Sequence, residues 1–220
     1  YKTDYVENMG QLKERYEKVI NWFISTNAPS LPELKFSDNF SLLVAVMLSA
    51  QCTDKRVNMV TPILLTKYPN AESMSKASEN ELFSIISSIS YPNSKAKHLK
   101  EMSTLLFEKF HGIVPNNLED LTSLPGVGRK TANVVLAVAF NQPTMAVDTH
   151  VFRVSNRIGL VKSNSVLETE KQLVKHIPDE IIPKAHHWLI LHGRYVCTAR
   201  NPKCEQCGIN TFCKYYNNNK

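Results

Sequence analysis

Apolar residues recur at spacings of three and four along almost the whole chain, a period that leaves little room for anything but helices. Leu12, Tyr16, Val19, Ile20 and Phe23 share one face of a first helix. Pro29 and Pro32 break the chain, and Ser37 or Asp38 offers an N-cap for a second helix carrying Phe40 to Ala50. Ser78 and Glu81 have capping-box spacing ahead of Leu82, Ile85, Ile86 and Ile89, and Tyr91-Pro92-Asn93 reads as the turn that ends that helix. Leu99, Met102, Leu106 and Phe110 mark another helix, stopped near Gly112 and Pro115. Ser165 and Glu168 repeat the capping-box spacing, and Trp188, Leu189 and Leu191 lie on a last helix running towards Cys197. Only Met145 to Val147 could pass as extended, and the tail Asn217 to Lys220 reads as frayed. The expected fold class is all-α, without internal repeats.

A chain of 220 residues makes one large or two small domains and buries enough surface to fold without disulfides. Its 43% hydrophobic and 21% charged residues exclude a disordered or collagen-like chain. The formal charge of +6 permits a polyanionic partner such as nucleic acid without demonstrating one. No apolar run reaches the roughly 18 residues of a membrane helix, and the first ten residues lack the apolar core of a secretory signal. The expected location is the cytoplasm, with no membrane partner. Of five cysteines, Cys52 stands alone and reads as a small buried residue. Cys197, Cys204, Cys207 and Cys213 fall within 17 residues, and the odd total and this clustering argue for a metal site over disulfides. Four thiolates can hold zinc or an iron–sulfur cluster, but zinc sites usually show two short Cys pairs and here there is one.

At Leu124-Pro125-Gly126-Val127-Gly128-Arg129-Lys130 a two-glycine turn opens onto the apolar helical run Thr131 to Phe140. Leu118 and Leu121 suggest a short helix before it. Glycines let the backbone adopt conformations closed to other residues and remove side-chain bulk. Their N–H groups, beside the positive end of the next helix, suit a phosphate, although an ordinary helix–helix turn has the same glycines. Such a contact reads no bases. Lys130 sits where the helix dipole works against a cation, which favours a neutral, nucleophilic amine; it reads equally as one more phosphate-facing cation. Asp148, in Ala146-Val147-Asp148-Thr149-His150-Val151-Phe152-Arg153, precedes a helix carrying Val151, Val154 and Ile158, where an N-cap is the plain reading.

Together these two strings, with Lys130 and Asp148 spaced 18 residues apart, closely resemble the endonuclease III family of helix-hairpin-helix DNA glycosylases. The resemblance runs from Phe36 to Cys213 with its motifs in family order. It implies two helical lobes with a DNA cleft between them. Residues 32–142 would form a six-helix barrel whose hairpin spans about 118–140, and residues 1–31 with 143–220 a discontinuous cluster domain. It implies that Lys130 attacks C1′ and expels a damaged pyrimidine, that Asp148 assists, and that the covalent imine permits β-elimination of the 3′ phosphate. The implied partner is double-stranded DNA with oxidised pyrimidines or abasic sites, and the implied cofactor a mainly structural [4Fe–4S] cluster on Cys197, Cys204, Cys207 and Cys213.

Leu48-Ser49-Ala50-Gln51-Cys52-Thr53-Asp54 is similar to the family's LLSAQATD stretch, so Gln51 would enter the space a flipped base vacates. Tyr91 stands where the family has an apolar wedge, a departure that bears on lesion preference. Gly126, Val127, Gly128, Arg129, His150, Arg153, Arg194, Arg200 and Lys203 complete the expected DNA-contacting set. A monomer is expected. The rival readings are a non-catalytic helix-hairpin-helix DNA-binding module and a monofunctional adenine glycosylase. The latter lacks the Lys and carries a Glu on the early helix, where no acidic residue lies between Phe40 and Gln51.

Overall fold

The computed structural model describes residues 2–219, with side chains from residue 9 onward. The described residues form helices α1 (Lys2–Ser25), α2 (Asn39–Ser49), α3 (Asp54–Lys67), α4 (Ala71–Ser75), α5 (Glu79–Ile86), α6 (Pro92–Phe110), α7 (Leu118–Ser123), α8 (Arg129–Phe140), α9 (Thr149–Ile158), α10 (Val166–His176), α11 (Ile182–Tyr195) and α12 (Lys214–Asn218). Two single 3₁₀ turns, Cys204–Gln206 and Asn210–Phe212, lie between the last two helices. No strand forms among the described residues, so Met145 to Val147, although buried, pairs with nothing in a sheet. None of the described helices is long and apolar enough to cross a membrane.

The chain divides into two compact units, one spanning Pro32–Asn141 and the other joining Tyr1–Leu31 to Gln142–Lys220. The first contains α2 to α8, seven helical segments against an expected six when the single turn α4, capped by Asn70, is counted. Its core is α2, on which Phe40 to Leu48 are buried without interruption. A helix apolar on every side must be packed on every side, and α3, α6 and α8 pack against it. Each fully buried Leu there contributes about 1.5–3 kcal/mol of transfer free energy. Asp38 and Ser41 close the N-terminus of α2 in a reciprocal capping box, and Ser78 and Glu81 do the same for α5. The second unit is centred on α9 and α11, with Val151, Val154, Ile158, Trp188 and Leu189 buried. Phe23 of α1 stacks on Trp188 at 5.3 Å between ring centroids, tying the first helix to the C-terminal part of the chain.

Three local expectations are corrected. Helix α5 already stops at Ile86, and Tyr91-Pro92 begins α6 instead, with Pro92 in the first turn where its missing N–H is harmless. Ser165 caps α10 by accepting from the Glu168 N–H at 3.1 Å, but the box does not close. The Glu168 carboxylate accepts from Gln172 Nε2 at 2.9 Å, and the Ser165 N–H goes to Ser163 Oγ. The tail is a helical turn through Asn218, with Asn219 Nδ2 donating to the Tyr215 carbonyl at 2.7 Å; Lys220 lies outside the described residues.

Candidate active site and cysteine centre

Helices α7 and α8 are joined by the turn at 124–128, closed by the Val127 N–H donating to the Leu124 carbonyl at 3.1 Å. Gly126 has φ +77°, and a Cβ there would lie 2.8 Å from His98 Cβ and 2.9 Å from Met47 Cε. Conformation and crowding both demand glycine. Gly128 is different: its φ of −86° is open to any residue, and an added Cβ would meet nothing within 4 Å. The expectation that both glycines serve the turn holds for Gly126 and fails for Gly128, which the fold itself does not need. Val127 is buried, so only its backbone faces outward. Arg129 and Lys130 are exposed in the first turn of α8. Helices α2, α3, α5, α9 and α10 each begin under a side chain that accepts a backbone N–H, and α6 and α11 begin with proline; α8 has neither. Its N-terminal amides are arranged as an anion site would require.

In the other unit, Asp148 Oδ1 accepts the Val151 N–H at 2.8 Å, so Asp148 is the N-cap of α9 and its carboxylate is oriented by that bond. His150 Nδ1 lies 3.2 Å from Arg153 Nη2. Arg153 is anchored within its own unit: its Nε and Nη2 donate to the Cys197 carbonyl at 3.2 and 3.1 Å, and Nη2 to the Gly193 carbonyl at 2.8 Å. Gly193 makes this possible: a Cβ there would stand 2.9 Å from His150 Cβ and 3.0 Å from Val154 Cγ2.

Cys197, Cys204, Cys207 and Cys213 line a single pocket together with Ile158 and His192. The segment between the first two cysteines is closed at its base by the Lys203 N–H donating to the Val196 carbonyl at 3.0 Å, leaving Arg200 and Lys203 exposed. Arg157 Nη1 reaches Cys197 Sγ at 3.6 Å and the Thr198 carbonyl at 2.7 Å, while Cys207 Sγ lies 3.5 Å from His192 Nε2. Burial, reinforced by the neighbouring thiols, pushes the Cys207 thiol up to about 11, and burial raises Cys213 too. Such thiols ionise only when a positive centre compensates them. Among the described residues no three His, Cys, Asp or Glu side chains converge as ligands of one metal ion would. Four thiols lining one pocket are a donor set that a thiolate-bound metal centre, a cluster included, can use.

Gln51 and Tyr91, from the ends of α2 and α6, meet at a second pocket that Gly126, Lys95 and His98 also line. Both are exposed and both take the left-handed conformation, at φ 53° and 55°. Tyr91 does so in front of a proline, which restricts it further. Such residues cost about 1–3 kcal/mol each and persist only where their surroundings enforce them. Lys130 is in the same unit; Asp148, His150, Arg194, Arg200, Lys203 and the cysteines are in the other. The residues that sequence reasoning missed are Arg157, His192, Gly193 and Lys95. Only Arg157 left a signal, one helical turn after Arg153 on the same face of α9.

Residues 44–179 match the HhH-GPD superfamily of base excision DNA repair proteins, and residues 197–213 match the iron–sulfur binding domain of endonuclease III. The chain is 48% identical to the endonuclease III of Rickettsia felis over 91% of its length and 94% of the relative's. It is 42% identical to that of Escherichia coli over 92% and 96%. A solved structure of a trapped endonuclease III–DNA covalent intermediate superposes with a TM-score of 0.89 at 41% identity, covering 94% of this chain and 98% of that one. The chain belongs to the endonuclease III family. It is a DNA-binding enzyme of base excision repair, a DNA glycosylase and AP lyase with a [4Fe–4S] cluster.

Proposed function

We propose that the enzyme excises oxidised pyrimidines from double-stranded DNA through a Schiff base on Lys130, and that it works as a monomer on the chromosome in the bacterial cytoplasm. The lone pair of the Lys130 amine attacks C1′, and the N-glycosidic bond breaks with its electrons leaving on the base. Positive charge that develops on the sugar is stabilised by the Asp148 carboxylate, which the Val151 N–H holds in one orientation. The aminal opens to an imine, which acidifies the C2′ proton. Loss of that proton drives the electron pair to expel the 3′ phosphate, and water returns Lys130 as the free amine.

The hairpin would hold the strand through backbone amides at Gly126 and Gly128, with the buried Val127 closing the turn between them, Arg129, Arg194, Arg200 and Lys203 as phosphate partners and His150 near the strand. Gln51 and Tyr91 would fill the gap left by the extruded nucleotide. Cys197, Cys204, Cys207 and Cys213 would hold the cluster, which supplies a positive core that organises the basic segment 197–203. One observation carries the reading: an exposed lysine in the first turn of an uncapped helix, beside a glycine that the fold does not require. Incision of duplexes bearing thymine glycol, other oxidised pyrimidines or an abasic site tests it. Nicking of both classes is expected, and Lys130→Gln should abolish it. Binding without nicking would indicate a non-catalytic module, and base release without nicking a monofunctional glycosylase.

A further inference from the structure

Lysine is almost never fully buried without a charged partner. Lys95, in the first turn of α6, is only 9% exposed, and among the described residues no salt bridge accompanies it. Its Nζ instead donates to the carbonyls of Leu48 at 2.9 Å and Ala50 at 2.6 Å, at the C-terminal end of α2. That end leaves the helix through a backbone turn, with Ala50 at φ −57°, ψ 116°, Gln51 left-handed at φ 53° and the Cys52 N–H returning to the Ser49 carbonyl at 3.0 Å. The Lys95 ammonium takes the Leu48 and Ala50 carbonyls on either side of Ser49, at the negative end of the helix dipole.

The placement has a consequence on both sides of the second pocket. Gln51 follows Ala50 directly, and its carbonyl accepts from Ser90 Oγ at 2.8 Å, so the residue before Tyr91 is tied to Gln51. The Tyr91 carbonyl accepts from the Lys95 backbone N–H at 3.1 Å and from Ser94 Oγ at 3.2 Å. Lys95 therefore bonds to one left-handed loop through its side chain and to the other through its backbone. Tyr91 is 63% exposed, so packing of its own ring does not hold it there.

We propose that Lys95 is a positioning residue, a crosspiece that sets the separation of Gln51 and Tyr91 so that both meet the duplex already ordered. The proposal rests on the reading of those two residues as wedges. A preformed pair enters the helix without the entropy of ordering two loops on binding. It also keeps both residues on one pocket.

The test uses the full-length holoenzyme and a duplex with a non-cleavable abasic analogue opposite 2-aminopurine, whose fluorescence rises when the base unstacks. At saturating protein, Gln51→Ala and Tyr91→Ala should dim the signal. Lys95→Met, which keeps the apolar stem, should dim it comparably, with the salt dependence of binding unchanged. Ser90→Ala, at an exposed position, should do the same to a smaller degree and covers the case in which Lys95→Met does not fold. Lys95→Met should also lower the ratio of incision on duplex to incision on single-stranded abasic DNA by about tenfold, since only the duplex needs the wedges. A general structural defect would lower both substrates alike. If Gln51→Ala and Tyr91→Ala dim the signal while Lys95→Met and Ser90→Ala leave it bright, the proposal is wrong and the wedges stand. A salt slope reduced by about one unit in Lys95→Met would make Lys95 a direct phosphate contact and also overturn it. A bright signal in Gln51→Ala and Tyr91→Ala would remove the wedge reading and this proposal with it, leaving the chemistry at Lys130 untouched.

Discussion

Replacing Gly128 by alanine separates the hairpin's role in folding from its role in binding. The substitution removes freedom from the unfolded chain, which stabilises by about 0.4–1 kcal/mol where the native backbone is compatible. At φ −86° it is compatible, and the methyl enters open space. Gly128 is also the N-cap of α8, where alanine is worse than glycine by about 0.5 kcal/mol. The two effects nearly offset, so the melting temperature should stay within about 2 °C. Binding should not. A methyl in that open space would block approach of a phosphate to the Gly126 and Gly128 amides, and one lost hydrogen bond to a charged acceptor is worth about 1.5–3 kcal/mol. The affinity for a duplex carrying an abasic analogue should weaken by about 10- to 100-fold in fluorescence anisotropy at fixed salt. Gly126→Ala is the control. It combines about 1–2 kcal/mol of left-handed strain with about 1–3 kcal/mol of crowding against His98 and Met47, and should lower the melting temperature by about 4–20 °C. Unweakened binding by Gly128→Ala, or a melting loss matching that of Gly126→Ala, would refute the phosphate role.

Asp148→Asn keeps the cap, since asparagine caps as well as aspartate, so it should melt normally yet release base about 100-fold or more slowly in single-turnover assays; Asp148→Ala should lose about 1 kcal/mol of stability as well. Gly193→Ala drives a methyl against His150 and Val154 and should cost about 1–3 kcal/mol, with the cluster's visible absorbance lost at a lower temperature than in the wild type. Burial raises the Tyr16 hydroxyl, which donates to the Leu160 carbonyl at 2.7 Å. A raised folded value means that its contribution is complete below pH about 10 and is lost as pH rises beyond it. Denaturant melts of Tyr16→Phe should therefore show a shallower alkaline loss than the wild type above pH about 10.

The helical architecture was legible because most elements carry their own punctuation. Asp38 and the Ser78–Glu81 pair do locally what their spacing implies. Ser165 and Glu168 have the same spacing and close only half a box, because Gln172, one turn on, competes for the carboxylate. Tyr91-Pro92 was misread as an ending because Pro serves a turn and a helix start equally well. In the site, Lys130, Asp148 and the four cysteines stand in recognisable strings. Arg153 stands in one of them too, but the carbonyls that anchor it lie 40 and 44 residues away and leave no mark in its string. Lys95 was invisible for the same reason: a charged residue at a helix start reads as surface, and its burial depends on carbonyls 45 and 47 residues earlier. Gly128 shows the converse. Its spacing reads as a second turn glycine, and only the open space around it shows that the turn does not require it.

The most direct test reduces the enzyme–abasic DNA complex with borohydride, digests it, and maps the sugar remnant by mass spectrometry. The account predicts a single new C–N bond at Lys130 Nζ, absent from Lys130→Gln and formed more slowly in Asp148→Asn. A remnant on any other amine, or trapping that persists undiminished in Lys130→Gln, would contradict it.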